Sequence, residues 1–304
     1  MLEFHNMFIM QIFLLCLMLI GVIVVKTRIM GDARARASMT DLVIYVLLPC
    51  NILSSFFGTS RSQIPSLGIM LVISLGIMTL SLLLSRVLYR KATPEQKKVL
   101  FYATLISNAV LLGNPVVESI YGLEGLSYAA VYMLPFRLAT WTLGLAIFTG
   151  RRGNLIKAFL HPCVVTVFLG LLVIIVDFTP PVLVSRLIFS LGSCTTPLSM
   201  IVAGCILATV DPRKIWTKLT IYFTFIRLVL IPLMVMGILL VFRPAPMIAG
   251  ISVILCGMPA GVTTSILADK YGADSELASK IAFVSTLLSI ITAPLLAWLL
   301  QRSL

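Results

Sequence analysis

Ten apolar stretches, each about the length that crosses a lipid bilayer, recur along this 304-residue chain with only short connections between them. A bilayer core roughly 30 Å thick takes about 20 helical residues, and backbone polar groups inside it must pair within the segment. The sequence therefore predicts an all-α integral membrane protein, with helices over residues 6–25, 38–58, 64–88, 99–120, 125–149, 158–177, 182–208, 216–242, 245–267 and 278–300. No polar stretch is long enough for a separate soluble domain. Hydrophobic residues make up 60% of the chain and charged residues 11%, too little charge to coat a soluble domain without large exposed apolar patches. The first run, residues 7–25, has no basic leader or small-residue cleavage site, and reads as a retained span rather than a signal peptide.

The net charge of +12 comes in short clusters between apolar runs, such as Arg86, Arg90, Lys91, Lys97 and Lys98. That placement excludes a continuous nucleic-acid-binding face and fits loops on one side of a membrane. Counted on alternate sides of the ten spans, 17 Lys and Arg fall on one side and four on the other, with Arg137 and Arg227 inside spans. The basic side is expected to be cytoplasmic, with both termini outside the cytoplasm and the protein multi-pass in the plasma membrane. The six cysteines stand singly within apolar runs, a spacing that implies neither disulfides nor a metal site. No cofactor is implied.

The basic loop at residues 150–157 divides the chain into a unit at 1–149 and a unit at 158–304. Five spans in each would set the second unit upside down relative to the first, the inverted repeat common in alternating-access transporters. Leu48-Pro49-Cys50-Asn51 and Thr196-Pro197-Leu198-Ser199 place prolines 148 residues apart, and Tyr121-Gly122 and Tyr271-Gly272 are 150 apart.

Two spans carry helix-breaking clusters. The fourth has Ser107-Asn108-Ala109-Val110-Leu111-Leu112-Gly113-Asn114-Pro115, and the ninth has Gly257-Met258-Pro259-Ala260-Gly261-Val262-Thr263-Thr264. Proline removes a backbone donor and glycine adds freedom, and the polar groups so freed need a protein or cavity partner at membrane depth. A plain kink accounts for Pro49 or Pro232 alone. The paired clusters, with Asn108, Asn114, Thr263 and Thr264 needing hydrogen-bond partners where water is scarce, point to a binding site. Gly113, Pro115, Met258, Pro259 and Gly261 would shape it, and Asn51 and Ser199, each two residues past a mid-span proline, join the candidates.

These residues resemble a known family. Asn108, Gly113-Asn114-Pro115-Val116-Val117 and Tyr121-Gly122, with Met258-Pro259-Ala260-Gly261, Ile266-Leu267-Ala268 and Tyr271-Gly272, are similar to the auxin efflux carriers. Pro197-Leu198-Ser199-Met200 and Gly204 resemble the family's seventh span. That family includes plant PIN proteins and bacterial transporters assigned to malonate or malate. The resemblance implies a scaffold of spans 1, 2, 6 and 7 and a transport domain of spans 3–5 and 8–10. It also implies broken spans 4 and 9 crossing at mid-membrane, as in PIN and bile-acid-symporter folds, and a homodimer formed through the scaffold. Asn108 matches a family position near a substrate carboxylate. Thr263-Thr264 stands where a second crossover proline is common, and the long central loop of the plant proteins is missing, so auxin as substrate and loop phosphorylation do not carry over.

Arg137 and Arg227 lie near span centres, where an arginine costs at least ~2.5–3.5 kcal/mol to insert. Each is a candidate counter-charge for an anionic substrate, or the partner of a carboxylate or freed carbonyls. Asp41 and Glu118 are able to take a coupling proton or sodium ion, simple solvation near an interface being the plainer reading. The motifs of metallo- and serine hydrolases are absent from the sequence, so nothing supplies a nucleophile with its base. The expected function is transport of small organic anions, with a sodium-coupled bile-acid-symporter-like carrier and a channel as the alternatives.

Overall fold

The computed structural model describes residues 2–29, 32–57, 59–150, 156, 159–208, 215–261 and 263–303. Most of the expected 150–157 linker lies outside these, as do Val262 of the second break and Arg213 and Lys214 of a basic loop. Apart from one isolated bridge, the regular structure among the described residues is helical. Residues 2–149 form α1 (Leu2–Lys26), α2 (Ala33–Leu42), α3 (Leu48–Phe56), α4 (Ile64–Leu88), α5 (Pro94–Leu105), α6 (Asn114–Ala139) and α7 (Leu145–Thr149). Beyond them lie α8 (Pro162–Val176), α9 (Val182–Ser193), α10 (Thr195–Leu207), α11 (Lys218–Phe225), α12 (Ile231–Phe242), α13 (Pro246–Cys256), α14 (Thr263–Lys270) and α15 (Ser275–Ser303).

Among the described residues, six helical runs are long and apolar enough to cross a membrane: Arg34–Phe56, Arg61–Leu88, Ala109–Thr149, Val182–Cys205, Lys218–Phe242 and Ser275–Leu300. Ile12–Lys26, Pro162–Val176 and Pro246–Cys256 are shorter apolar helices. The 41-residue run is two helices, because Gly122 breaks it at φ 63° and ψ −159°, a backbone region that residues with a Cβ rarely enter. Gly272, in the second Tyr-Gly pair, also has positive φ (65°).

Mid-span prolines leave a local signature. Pro49, Pro115 and Pro232 each stand two residues after a π-helical turn, at Val43–Leu47, Ala109–Gly113 and Ile226–Leu230. A proline has no N–H for the carbonyl one turn back and its ring crowds that carbonyl. A wider preceding turn relieves the crowding, which is why the helix continues instead of ending.

Burial follows the logic of lipid rather than water. Along α4 the buried residues are Leu67, Met70, Ser74, Ile77, Ser81 and Ser85, one narrow stripe at helical spacing that includes three serines. Val72 is 69% exposed, and Val241 on α12 is 80% exposed. A helix whose small polar residues face neighbours while its aliphatic residues face outward is suited to acyl chains.

The helices pack in two groups. In one, α1 lies along α10, and α3 packs on α8 and α9. In the other, α4 contacts α5 and α6, α13 contacts α6 and α12, and α15 contacts α11 and α14. The groups meet where α3 touches α6 and α1 touches α15.

Candidate functional site

The two helix-breaking clusters meet. After α5 ends, Ile106 turns extended (φ −106°, ψ 108°), and Ser107 pairs with Ala260 in an antiparallel bridge. The Asn108 N–H donates to the Pro259 carbonyl at 2.8 Å, and the Gly261 N–H reaches the Ile106 carbonyl at 3.4 Å. Pro259 has no N–H to satisfy, so the extended segment ends without an orphan donor there. The Ala260 N–H donates to Ser285 Oγ on α15 (3.1 Å), and that hydroxyl in turn donates to the Ile281 carbonyl (2.6 Å). Backbone freed by the breaks is thus paired within the protein, as burial in an apolar medium requires.

Arg227 ties the junction together. It is 3% exposed and sits on the π-helical turn before Pro232. Its Nε donates to the Met258 carbonyl (2.9 Å) and its Nη1 to the Thr104 carbonyl (2.8 Å). The Thr104 carbonyl lies in the last turn of α5 and the Met258 carbonyl two residues past α13, at the negative poles of both half-helices. One guanidinium therefore neutralises two converging helix ends, the freed-carbonyl partner that the sequence offered as an alternative to substrate.

The other candidates divide by place. Asn108, Pro259 and Gly261 are the junction itself. A Cβ on Gly113 would come within 2.7 Å of Leu255 Cδ2 and 3.0 Å of Met258 Cγ, so glycine here lets the two breaks close on each other. Asn114 and Pro115 form the first turn of α6, and Asn114 Oδ1 is buried without a hydrogen-bond partner. Across the junction, Thr263 Oγ1 accepts from the Tyr102 hydroxyl (3.2 Å), while Thr264 Oγ1 is buried without a partner. Arg137 is 7% exposed, and its Nε and Nη2 are buried without hydrogen-bond partners. Its charge acts on His161 at the head of α8. Asn51 and Ser199 are not drawn into the junction: Asn51 Nδ2 donates to the Gly192 carbonyl of α9 (3.2 Å), and Ser199 is fully buried with its hydroxyl unpartnered.

Beside the junction a small cavity opens between the helix groups. Leu14 and Met18 of α1 and Met200 of α10 line one wall, Leu112 and Met258 the other, and Ser289 of α15 adds a hydroxyl. Ser285, Thr286 and Ser289 escaped the sequence reading. Three hydroxyl residues within five positions of an apolar span were the available signal, since Ser285 holds the junction and the other two line the cavity.

His161 caps α8, its Nδ1 accepting the Cys163 N–H at 3.3 Å. The neutral ring is what the cap requires, because a protonated Nδ1 cannot accept.

The family model described as membrane transport protein matches residues 7–156 and 152–297. An uncharacterised transporter of Methanothermobacter thermautotrophicus is 28% identical over 287 residues, covering 92% of this chain and 94% of its own. An uncharacterised transporter of Methanocaldococcus jannaschii is 25% identical over 301 residues, covering 94% and 96%. A candidate malonate transporter of Rhizobium meliloti is 28% identical over 142 residues, covering 46% and 44%.

Proposed function

This chain belongs to the membrane transport protein family, that of the auxin efflux carriers, and from that membership we propose that it is a carrier of small organic anions working by alternating access. A transporter rather than an enzyme is what the family and the relatives' names give. The observation that carries the finer reading is the polarity of the junction. Both negative half-helix ends are taken up by Arg227, whereas the amide ends of the following segments carry Asn108 and Asn114 on one side and Thr263 and Thr264 on the other. Amide ends attract carboxylates, through their partial positive charge and their unpaired N–H groups.

In this proposal Asn108, Asn114 and Thr264 orient the substrate carboxylate, and Arg137 supplies the charge balance that its unpaired nitrogens leave open. The helix groups described above are the scaffold and the transport domain, and the cavity between them is the alternating pathway. Ten spans arranged as two inverted five-helix repeats, 1–149 and 158–304, agree with the positive-φ glycines of both Tyr-Gly pairs and with breaks that meet each other. The protein would be a plasma-membrane homodimer joined through the scaffold, with both termini outside the cytoplasm. The partial match to a candidate malonate transporter favours small mono- and dicarboxylates.

The test is the melting midpoint of purified protein across a carboxylate panel. A ligand bound only by the folded state stabilises it by RT ln(1 + [L]/Kd), about 2.7 kcal/mol at a hundredfold excess. A carboxylate-specific rise that disappears in Asn108→Ala supports the site. A response to neutral solutes alone would refute the organic-anion reading. Counterflow in proteoliposomes separates a carrier from a pore.

A further inference from the structure

A second polar cluster bridges the two helix groups beside the junction, sharing Asn114 with it. Glu118, one helical turn beyond Asn114 on α6, accepts a hydrogen bond from Thr196 Oγ1 on α10 at 2.8 Å. The amide of Asn51 on α3 lies within reach of the same carboxylate. Among the described residues no lysine or arginine pairs with Glu118, so its negative charge has no protein counter-charge.

Positions on the same helices carry unmatched oxygens as well. Asn51 Oδ1, Asn114 Oδ1 and Ser199 Oγ are buried with no hydrogen-bond partner, and the residues are 2%, 3% and 0% exposed. Asn114 is four residues before Glu118 and Ser199 three after Thr196, spacings that place each pair on one helix face. Buried oxygens without donors are costly, and the half-buried carboxylate of Glu118, without a counter-charge, adds to that cost. Amide oxygens and a carboxylate cannot satisfy one another, since all are acceptors.

We propose that Glu118, Asn51, Asn114, Thr196 and Ser199 form a binding site for one sodium ion that bridges the scaffold and transport groups. Hard cations are held by sets of carboxylate, amide and hydroxyl oxygens. One carboxylate among neutral oxygens balances a single positive charge, leaving the site neutral in apolar surroundings, whereas a divalent ion would leave it positive. A proton would neutralise the carboxylate and give it one O–H to donate, leaving the remaining oxygens unmatched. Because ligands come from α3 and α10 on one side and α6 on the other, the ion holds the groups in this arrangement and its release frees them to move. That coupling role rests on the carrier reading; cation binding does not.

The experiment uses the full chain, purified and free of substrate, with melting midpoints in NaCl, KCl and choline chloride at equal ionic strength. The expected result is a midpoint about 2–4 °C higher in sodium than in choline. Glu118→Gln and Thr196→Val lose the sodium increment. Should Glu118→Gln not fold, Ser199→Ala keeps the test open: the increment then requires several-fold more sodium. Equal midpoints in all three salts, a response to pH alone, or an increment retained in both Glu118→Gln and Thr196→Val overturns the proposal. A carboxylate response without a sodium response would remove this site and leave the organic-anion reading standing; the reverse result removes that reading and leaves the site.

Discussion

Two buried arginines in one apolar chain invite the same reading, yet their surroundings divide them. Arg227 spends two donors on the carbonyls of Thr104 and Met258, which have no other donor among the described residues. Arg227→Met would orphan both, at about 1–3 kcal/mol each, and should lower the melting midpoint by several degrees. Arg137→Gln breaks no hydrogen bond at Nε or Nη2, so its midpoint should stay near wild type while any carboxylate-induced rise is lost. If Arg137→Gln is the more damaging of the two in the absence of ligand, the roles given to them are reversed. His161→Ala removes the side-chain acceptor that caps α8 and should lower the midpoint by a few degrees, whereas His161→Asn keeps an acceptor there and should recover most of the loss. Equal losses in both would mean that the cap contributes nothing.

At the scale of elements, the tightest contact is the crossing of α1 and α10, and two glycines make it. A Cβ on Gly21 would lie 2.1 Å from the Ile201 carbonyl oxygen, and one on Gly204 would lie 1.9 Å from that of Met18. Backbone meets backbone here, and the Cys205 thiol donates to the Gly21 carbonyl at 3.3 Å. Close approach of this kind holds helices together in lipid, where burial of apolar surface adds little. Gly204→Val must push the helices apart and should cost about 3 kcal/mol or more, in the range of severe overpacking. Gly76→Ala on α4 meets nothing within 4 Å and should be neutral or gain up to about 1 kcal/mol. Comparable losses in both variants would mean that helix propensity, not the crossing, sets the effect. The sequence made the helices legible through their apolar runs and marked both breaks through Pro, Gly and Asn. It read Pro49 and Pro232 as plain kinks, because a π-helical turn depends on how the chain before the proline widens. It also could not pair α1 with α10, since a lone Gly21 and a lone Gly204 signal contact only once their helices are known to cross.

For the molecule as a whole, the junction explains what a linear reading can and cannot reach. Ser107 and Ala260 are far apart in sequence, as are Arg227 and Thr104, and nothing local to either partner announces the other. The breaks were visible as unsatisfied backbone, but the groups that satisfy them come from α15 and from the turn before Pro232. The proposed opposite orientation of the two halves has a consequence that can be tested without knowing the substrate. Five spans per half would put the 150–157 loop on the side away from both ends of the chain, and the 17-to-4 division of Lys and Arg would put that loop in the cytoplasm. Alkaline phosphatase folds to its active form only outside the cytoplasm, whereas green fluorescent protein exported unfolded stays dark. In a bacterial host, phosphatase fused after Leu304 should be active and green fluorescent protein at the same position dark. Fluorescent protein inserted at Gly153 of the full chain should be bright, and phosphatase there inactive. A bright C-terminal fusion together with a bright loop insertion would require an even number of crossings between them. That result would exclude five spans in the second half, and with them the inverted repeat, while leaving the observed junction of the two broken helices to be explained by another topology.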